Sequence, residues 1–308
     1  PEKIMMFYST LITRRDCLAQ LTATSGLVLT SQALSAAGAD REPISFVVVS
    51  DTHLGRKDND SATTAWRRAA EELEETDADF GLHLGDIVDG GRGNRYREYI
   101  EIRDQIGKPV YEIPGNHDPL SAFTANVRED VDTSFDHGWL RVILLANSDR
   151  ESHDGFFTRE QIAWTDEQLT DAAARNLAAI ICCHVPVHTN KHPDRGWYVK
   201  PESGQSELYE TLEQHRDHVL ALFHGHFHNG IRGWHDRPGL HEVCFPSALY
   251  NQNRDLERQK AAGYNPDEFR PGYTLVTVGD GKLHLQYKPT GAEPTVEHTC
   301  DTPATEGV

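Results

Sequence analysis

Apolar and polar positions fall into two patterns that alternate along most of the chain. The segment ISFVVVS (44–50) is a continuous run rich in β-branched residues, which is typical of a buried strand. The segment ATTAWRRAAEELEET (62–76) instead repeats apolar residues every three or four positions. This spacing places Trp66, Ala69 and Leu73 on one face of a helix. The first strand and the first helix are predicted from these two segments.

The same alternation continues toward the C-terminus. Further apolar runs predict strands at 79–85, 108–114, 140–147, 177–183 and 218–224. Helical periodicity predicts helices at 94–106, 158–169 and 205–215. Thr158 and Gln161 have the spacing of a capping box, and residues 273–288 predict a hairpin that turns at 279–281. Alternating strands and helices followed by a β-rich portion predict an α/β domain with more than one sheet layer.

Composition narrows the possible partners. The chain has 308 residues, and 48 acidic side chains outnumber 30 basic ones, giving a formal net charge of −18. No Lys/Arg-rich run is present, so binding to duplex nucleic acid is not expected. The 17 histidines point to metal or acid–base chemistry. The five cysteines include no CxxC pair, and Cys182, Cys183 and Cys244 are interpreted as small buried hydrophobes.

The first 39 residues form a separate segment. Arg14-Arg15 precede a stretch that carries no charge between Asp16 and Asp40 and contains many small and polar residues. This pattern predicts a twin-arginine-type signal peptide over 1–39 and export to the periplasm or the exterior, with no stable membrane span in the mature protein. A membrane span and a buried N-terminal helix are the alternatives. Residues 40–290 are predicted to form the folded domain and 291–308 a flexible tail.

Polar side chains follow five of the apolar runs at the point where each run ends. They are Asp51 and His53, then Asp86 and Asp89, then Asn116, His117 and Asp118, then His184, and finally His226 and His228. In a mostly parallel sheet the carboxyl ends of the strands lie along one edge, where such folds place their sites. Residues two apart on extended chain point the same way, so each such pair can direct two donors into one space.

The donor types indicate a metal site. Imidazole, carboxylate and one carboxamide, without thiolate, suit divalent or trivalent ions such as Mn, Fe or Zn. Seven donors exceed what a tetrahedral site takes, and sharing Asp86 between two ions resolves the excess. Two divalent ions would outweigh the carboxylates of Asp51 and Asp86, so the pocket would attract phosphate. A bridging hydroxide between the ions would attack phosphorus, which predicts metal-assisted phosphoester hydrolysis.

The motifs DTH, GDIVD, GNHD, the His of CCHVP, and GHFH occur in that order between residues 51 and 228. The sequence thereby resembles the calcineurin-like metallophosphoesterase superfamily, whose pattern is D-x-H, G-D-x-x-D, G-N-H-[DE], H, G-H-x-H. The resemblance implies a four-layer α/β/β/α sandwich of two mixed sheets with a dinuclear metal centre. It implies that one ion is held by Asp51, His53, Asp86 and His228. It implies that the other is held by Asp86, Asn116, His184 and His226.

The same resemblance implies roles for three further residues. His117 is expected to donate a proton to the phosphoryl oxygen or the leaving group without binding metal. Asp118 is expected to orient the His117 ring, and Asp89 to orient a ligand or bound water. Purple acid phosphatases carry a tyrosine ligand where this chain has Asp89, so the chain looks more like the cyclic-nucleotide phosphodiesterase branch.

Three side chains are weaker candidates for substrate contact. Arg92 and Arg95 could meet a phosphate, or they could simply lie at a solvated helix start. Trp197, in the long polar loop 188–204, could line the cleft or stack on a nucleobase, or pack toward solvent. His83 and His224 are interpreted as satisfied core or supporting histidines.

The predicted function is a metal-dependent phosphoester hydrolase acting on small phosphoesters such as nucleotides. A phosphodiesterase and a phosphomonoesterase both remain open. The alternative is a metal-binding protein of the same fold without turnover. The sequence does not predict substrate identity, metal identity or oligomeric state.

Overall fold

The computed structural model describes residues 41–56, 60–149, 151–190, 195–229, 233–237, 239–252 and 266–303. The predicted signal peptide, residues 1–39, lies outside these ranges, so the expected export stays a prediction. Within the described ranges, every helix is too short or too polar to cross a bilayer.

The order of strands and helices in the described ranges matches the alternation expected from the sequence. The strands are β1 Ile44–Val49, β2 Phe80–His83, β3 Val110–Glu112, β4 Thr133–His137, β5 Leu140–Leu144, β6 Ala178–Cys182, β7 Val219–His224, β8 Gly233–Arg237, β9 Leu240–Cys244, β10 Gly272–Gly279, β11 Lys282–Pro289 and β12 Val296–Asp301. The helices are α1 Ser61–Glu74, α2 Gly93–Arg103, α3 Leu120–Asn126, α4 Arg159–Ala174 and α5 Gln205–Gln214.

The strands form two six-stranded mixed sheets. The first has the order β12-β11-β10-β1-β2-β3, and the second has the order β4-β5-β6-β7-β9-β8. In the first sheet, β1, β2 and β3 run parallel, while β10, β11 and β12 are antiparallel additions. In the second, β5, β6, β7 and β9 run parallel, with antiparallel strands at both edges. The carboxyl ends of the parallel strands in each sheet therefore lie along one edge.

A central core lies between the two sheets. Phe46 and Phe80 of the first sheet stack with ring centroids 4.9 Å apart. The centroid of the Phe46 ring lies 6.4 Å from that of Phe223 in the second sheet. Alternate residues of β1 and β6, such as Val48 and Ile180, belong to the same buried cluster. Each fully buried aliphatic or aromatic side chain contributes about 1.5–3 kcal/mol to folding. This apolar layer joins the sheets face to face.

Helices cover the outer faces of both sheets. Trp66 of α1 stacks on Tyr99 of α2 at 5.2 Å, and both pack against the first sheet. Leu169 of α4 and Leu208 of α5 pack against the second sheet. The result is the four-layer α/β/β/α sandwich that the sequence resemblance implied.

Two local predictions can be compared with the structure directly. The capping box is confirmed: Thr158 accepts from the Gln161 backbone N–H, and the Gln161 side chain accepts from the Thr158 N–H. The prediction of a flexible tail over 291–308 is wrong for β12. This strand pairs with β11 from Leu283↔Cys300 to Tyr287↔Val296 and places Cys300 in the central core. The strand β12 forms because it pairs with the edge of β11, and the sequence of the tail alone does not indicate this pairing.

The cysteines behave as expected in the part of the chain that the structure describes. Cys182, Cys183 and Cys244 are buried and unpaired. Burial raises the pKa of each of these thiols. They therefore act as small apolar side chains.

Candidate metal centre

The ends of the parallel strands are joined into one rim by backbone hydrogen bonds. The N–H of Asp51 donates to Gly85 O and the N–H of His53 to Asp86 O, each at 2.9 Å. Leu54 and Val88 continue the contact as an isolated parallel bridge. The loops after β1 and β2 thus run side by side beyond the sheet, which fixes the spacing of the side chains they carry.

Most of the predicted ligands have an unusual backbone conformation. Asp51, His53, Asp86, His226 and His228 have φ values of 57°, 45°, 53°, 76° and 50°. Left-handed backbone is costly for a side chain other than glycine, on the order of 1–3 kcal/mol per residue, and it persists where surrounding structure enforces it. In this protein, the left-handed conformation occurs at residues whose ligand atoms lie close together.

Two glycines in the predicted motifs are required by close packing. A Cβ on Gly115 would collide with Asp86 Oδ1, and a Cβ on Gly225 would collide with Ser50 Oγ and lie 2.7 Å from Asp51 Oδ2. Only a residue without a side chain allows the backbone to approach these carboxylates. The glycines therefore let Asp51 and Asp86 lie in the bottom of the site.

Four of the predicted ligands form a first group. His228 Nε2 lies 2.9 Å from Asp51 Oδ1 and 3.2 Å from His53 Nε2. His53 Nε2 lies 3.5 Å from Asp86 Oδ2. Burial would raise the pKa of Asp51, but the neighbouring His228 outweighs it and holds that pKa well below its usual range. The group is buried and carries ionised carboxylates.

A second group shares Asp86 with the first. His184 Nε2 lies 3.4 Å from Asp86 Oδ1 and 3.2 Å from His226 Nδ1. Asp86 thus directs Oδ2 to the first group and Oδ1 to the second. Burial opposes ionisation of Asp86, but His184 and then His53 lower its pKa well below the ordinary value. The donors gather in two groups joined by one carboxylate, as the sequence predicted.

Hydrogen bonds to backbone carbonyls orient two of the predicted histidine ligands. The Nδ1–H of His184 donates to Leu84 O at 2.6 Å, and the Nδ1–H of His228 donates to Tyr250 O at 2.8 Å. Each ring is thereby oriented with Nε2 toward the carboxylates. Within the described residues, Asp51 Oδ1, Asn116 Oδ1 and His226 Nε2 are buried without a hydrogen-bond partner. Unsatisfied buried lone pairs of this kind fit a cation, so the residues suit the ions that the donor set implies.

His117 lies beside this centre and contacts Asp89. Its Nδ1 is 2.6 Å from Asp89 Oδ1, and its backbone N–H donates to Asp86 Oδ1 at 2.8 Å. Burial lowers the pKa of His117, but the Asp89 hydrogen bond and the charge of Asp86 outweigh burial and raise it. Asp89 also approaches His53 Nδ1 at 3.8 Å. Asp89 is therefore the residue that orients the His117 ring.

The expected role of Asp118 is wrong. Its carboxylate accepts from the backbone N–H groups of Ile87, Val88 and Gly115 at 2.9–3.0 Å. Tyr96 adds a hydroxyl donor at 2.7 Å. Burial and the charge of Asp86 raise the pKa of Asp118 to about 6. Asp118 ties the loops after β2 and β3 together, because the turn directs its side chain away from the neighbouring His117.

The candidate substrate contacts differ from one another. Arg95 Nη1 donates to Glu98 Oε2 at 2.6 Å, and its guanidinium also contacts Asp60, so it forms acidic pairs at the helix start. Arg92 is exposed at the N-cap of α2, and its contact with substrate stays a prediction. The Trp197 ring lies 5.3 Å from His226, beside the centre. Of the three, Trp197 is the one with a contact to a predicted ligand, and its role in substrate binding stays a prediction.

Sequence reasoning missed several residues that support the ligands. Asn147 Oδ1 accepts from the N–H groups of His184 and Val185, and its position after β5 was a strand-end signal that could have identified it. Ser50 Oγ donates to Asp51, and Ser247 Oγ donates to Asp51 O. No motif distinguishes these serines from others in the sequence.

His153, also missed, lies in the loop between β5 and α4. Its ring stacks on Trp197 with centroids 4.2 Å apart, and its Nδ1 lies 3.3 Å from Asn116 Nδ2. The segment around it carries no periodicity or motif that would have marked it.

Two core histidines were interpreted as satisfied residues. His83 accepts from the Gly85 N–H through Nδ1 and contacts Thr52 Oγ1 through Nε2, which confirms the interpretation. His224 Nε2 lies 3.4 Å from Glu242 Oε1, and His188 Nδ1 lies 2.9 Å from the same oxygen. We call His188, His224 and Glu242 the Glu242 cluster. It lies on the outer side of the second sheet, where Glu242 also accepts from Tyr209 of α5 at 2.7 Å.

Comparison with known proteins identifies relatives of this architecture. The sequence profile of calcineurin-like phosphoesterases matches residues 44–230. The chain is 26% identical to a probable glycerophosphodiester phosphodiesterase GpdQ of Arcobacter nitrofigilis, over 49% of this chain and 56% of that protein. It is 21% identical to the 3',5'-cyclic adenosine monophosphate phosphodiesterase CpdA of Haemophilus influenzae, over 81% of this chain and 91% of that protein. The first alignment thus spans little more than half of the relative's length.

Among solved structures, a dimetal phosphatase from Danio rerio superposes with a TM-score of 0.65 at 14% identity. The superposition covers 84% of this chain and 99% of that one. At such low identity the likeness establishes a shared fold.

Proposed function

Because the chain belongs to the calcineurin-like phosphoesterase family, we propose that it is a metal-dependent hydrolase of small phosphoesters with a preference for diesters. Asp51, His53, Asp86 and His228 would hold one ion. Asp86, Asn116, His184 and His226 would hold the other. The observation that carries the proposal is the division of Asp86 between two groups of buried donors, Oδ2 toward His53 and Oδ1 toward His184.

The chemistry of the bound ions and that of the side chains are complementary. Two ions held by these residues would supply Lewis acidity and would lower the pKa of a bound water, which favours hydrolysis of a phosphoester near neutral pH. The chain itself supplies the proton donor. Asp89 accepts the Nδ1–H of His117, so the opposite nitrogen, Nε2, can present a proton to a phosphoryl oxygen or leaving group. Despite burial, the hydrogen bond to Asp89 raises the pKa of His117 and so favours that protonated form.

Preference for diesters is supported by two considerations. The relatives described above are named as phosphodiesterases of glycerophosphodiesters and of cyclic AMP. In addition, Trp197 and His153 form an aromatic wall beside His226, which could accept the second organic group of a diester. We therefore propose cyclic or acyclic phosphodiesters, such as those of nucleotides, as the substrate class.

The direct test compares two chromogenic substrates with the Mn²⁺-loaded protein. Bis(p-nitrophenyl) phosphate should be hydrolysed with a higher kcat/KM than p-nitrophenyl phosphate. The reverse order would replace the diester assignment with a phosphomonoesterase. Absence of turnover over a broad panel of phosphomonoesters and diesters, with metal bound, would favour a metal-binding protein of this fold. The intact His117–Asp89 pair argues against that outcome, since metal storage needs no proton donor.

A further inference from the structure

The two ends of the Asn116 amide are in different surroundings. Oδ1 is buried and has no hydrogen-bond partner in the part of the chain that the structure describes, whereas Nδ2 donates to Nδ1 of His153 at 3.3 Å. The oxygen and nitrogen ends of an amide have nearly the same shape, so packing alone does not select which end faces the donors around Asp86. The hydrogen-bond partner of Nδ2 makes that selection. A reversed amide would direct two N–H donors at a cation and could not bind it.

His153 has few constraints of its own. It is an exposed residue in the loop that precedes α4. Its ring stacks on Trp197 with a centroid distance of 4.2 Å and an interplanar angle of 24°. Trp197 is half-buried and also packs near the His226 ring at 5.3 Å. The stack therefore links the His153 ring to the wall of the metal centre and restricts its rotation.

We propose that His153 is a positioning residue that holds the Asn116 amide with its oxygen toward the second ion, and that Trp197 holds the His153 ring in place for this purpose. Nδ1 of His153 accepts the hydrogen bond, so the ring proton lies on Nε2. The inference rests on the proposed function, because Asn116 needs a fixed orientation only if it binds an ion. It adds a residue from an exposed loop to the determinants of metal affinity.

Two substitutions separate the hydrogen bond from the ring stack. His153→Phe keeps an aromatic ring against Trp197 but removes the acceptor. His153→Asn loses the ring but places a carboxamide oxygen near the position of Nδ1. A residue that merely fills space would be replaced better by phenylalanine, whereas a positioning residue would be replaced better by asparagine.

The readout is Mn²⁺ affinity, measured by isothermal titration together with metal analysis after equilibrium dialysis. His153→Phe should lower the affinity for one of the two ions by about 10–100-fold, which is the usual effect of losing a partner that orients a ligand. His153→Asn should bind both ions nearly as tightly as the unaltered protein. Thermal unfolding of each metal-free variant checks that the fold is intact. If His153→Phe binds two ions with unchanged affinity, the inference is overturned.

A double-mutant cycle with Asn116→Asp makes the test independent of local packing. A carboxylate has an oxygen at both ends, so its orientation no longer depends on His153. In the Asn116→Asp background, His153→Phe should therefore change the affinity for the second ion much less than it does in the unaltered background. An equal loss in both backgrounds would mean that His153 acts through something other than the amide.

The outcomes distinguish this inference from the proposed function. If the unaltered protein binds only one ion, the proposed dinuclear centre fails and the inference fails with it. If the unaltered protein binds two ions and the two backgrounds respond equally to His153→Phe, the inference fails alone. Neither result depends on finding the natural substrate.

Discussion

The metal centre and the Glu242 cluster both combine histidine and carboxylate side chains, and they differ in how their carboxylates are satisfied. In the metal centre, Asp51 Oδ1, Asn116 Oδ1 and His226 Nε2 have no hydrogen-bond partner among the residues that the structure describes. In the Glu242 cluster, Glu242 Oε1 accepts from the backbone N–H groups of Val187 and His188 at 2.8–2.9 Å. The carboxylate of Glu242 is thus satisfied by backbone donors, although His224 Nε2 of the same cluster also lacks a hydrogen-bond partner within the described ranges.

The difference separates an ion site from a structural support. A carboxylate that already accepts several N–H and O–H donors has no need of a cation, and it gains stability from those hydrogen bonds. The hydrogen bond from His188 outweighs burial, and the pKa of Glu242 falls to about 2. Glu242 therefore anchors the turn that follows His184, while Asp86 directs its two oxygens to separate groups of histidines. The partners of the carboxylates, more than residue type, distinguish the two clusters.

The largest expected effect comes from Asp86→Ala. Because Asp86 contributes one oxygen to each group of donors, its loss should remove both ions and lower turnover by more than about a thousandfold. Metal analysis of the purified protein and kinetics at saturating Mn²⁺ measure the two effects. Retention of two ions by this variant would contradict the shared-ligand arrangement.

His117→Ala should separate catalysis from metal binding. Since His117 contacts Asp89 and donates no atom to either group of donors, both ions should remain bound. Loss of a general acid typically lowers kcat by about a hundredfold to ten-thousandfold. Metal analysis and kinetics of the same preparation measure both effects. Loss of an ion in this variant would contradict the expectation that His117 is not a metal ligand. Asp89→Asn should show the same split to a smaller degree.

Glu242→Gln is the matched substitution in the other cluster. It keeps the shape of the side chain but weakens hydrogen bonds to a charged acceptor, so the free energy of unfolding should fall by about 1–3 kcal/mol. The metal content should stay at that of the unaltered protein. Chemical denaturation and metal analysis test this pair of expectations. Loss of an ion specifically from this variant would show that the Glu242 cluster is itself a metal site.

Arg95→Ala is expected to have the smallest effect. Its guanidinium is paired with Glu98 and Asp60 at a partly exposed helix start, and such pairs contribute up to about 1 kcal/mol. The KM for a phosphodiester should therefore change little. A severalfold increase in KM with unchanged kcat would instead show that Arg95 contacts the substrate.

The ligands could be predicted from the sequence because their signals are local. Each ligand follows an apolar run, and the parallel arrangement of strands brings those ends together whatever the details of packing. The role that the resemblance implied for Asp118 is wrong because it depends on where the side chain points in the folded loop. In the folded loop, three backbone N–H groups draw the Asp118 carboxylate the other way.

Other features depend on distant partners and leave no local pattern. Strand β12 forms because the edge of β11 is available, so a segment rich in Pro, Thr and Glu gave no strong indication of it. His153 acquires its position through Trp197, which lies more than forty residues further along the chain. Contacts of this kind require the folded chain to be seen.

The most direct test of the account is a Mn²⁺ titration of the unaltered protein followed by electron paramagnetic resonance. Two ions that share Asp86 should be magnetically coupled. Binding should saturate at two ions per chain, and the signal of isolated Mn²⁺ should give way to that of a spin-coupled pair. Saturation at one ion, or two ions that remain magnetically independent, would contradict this expectation.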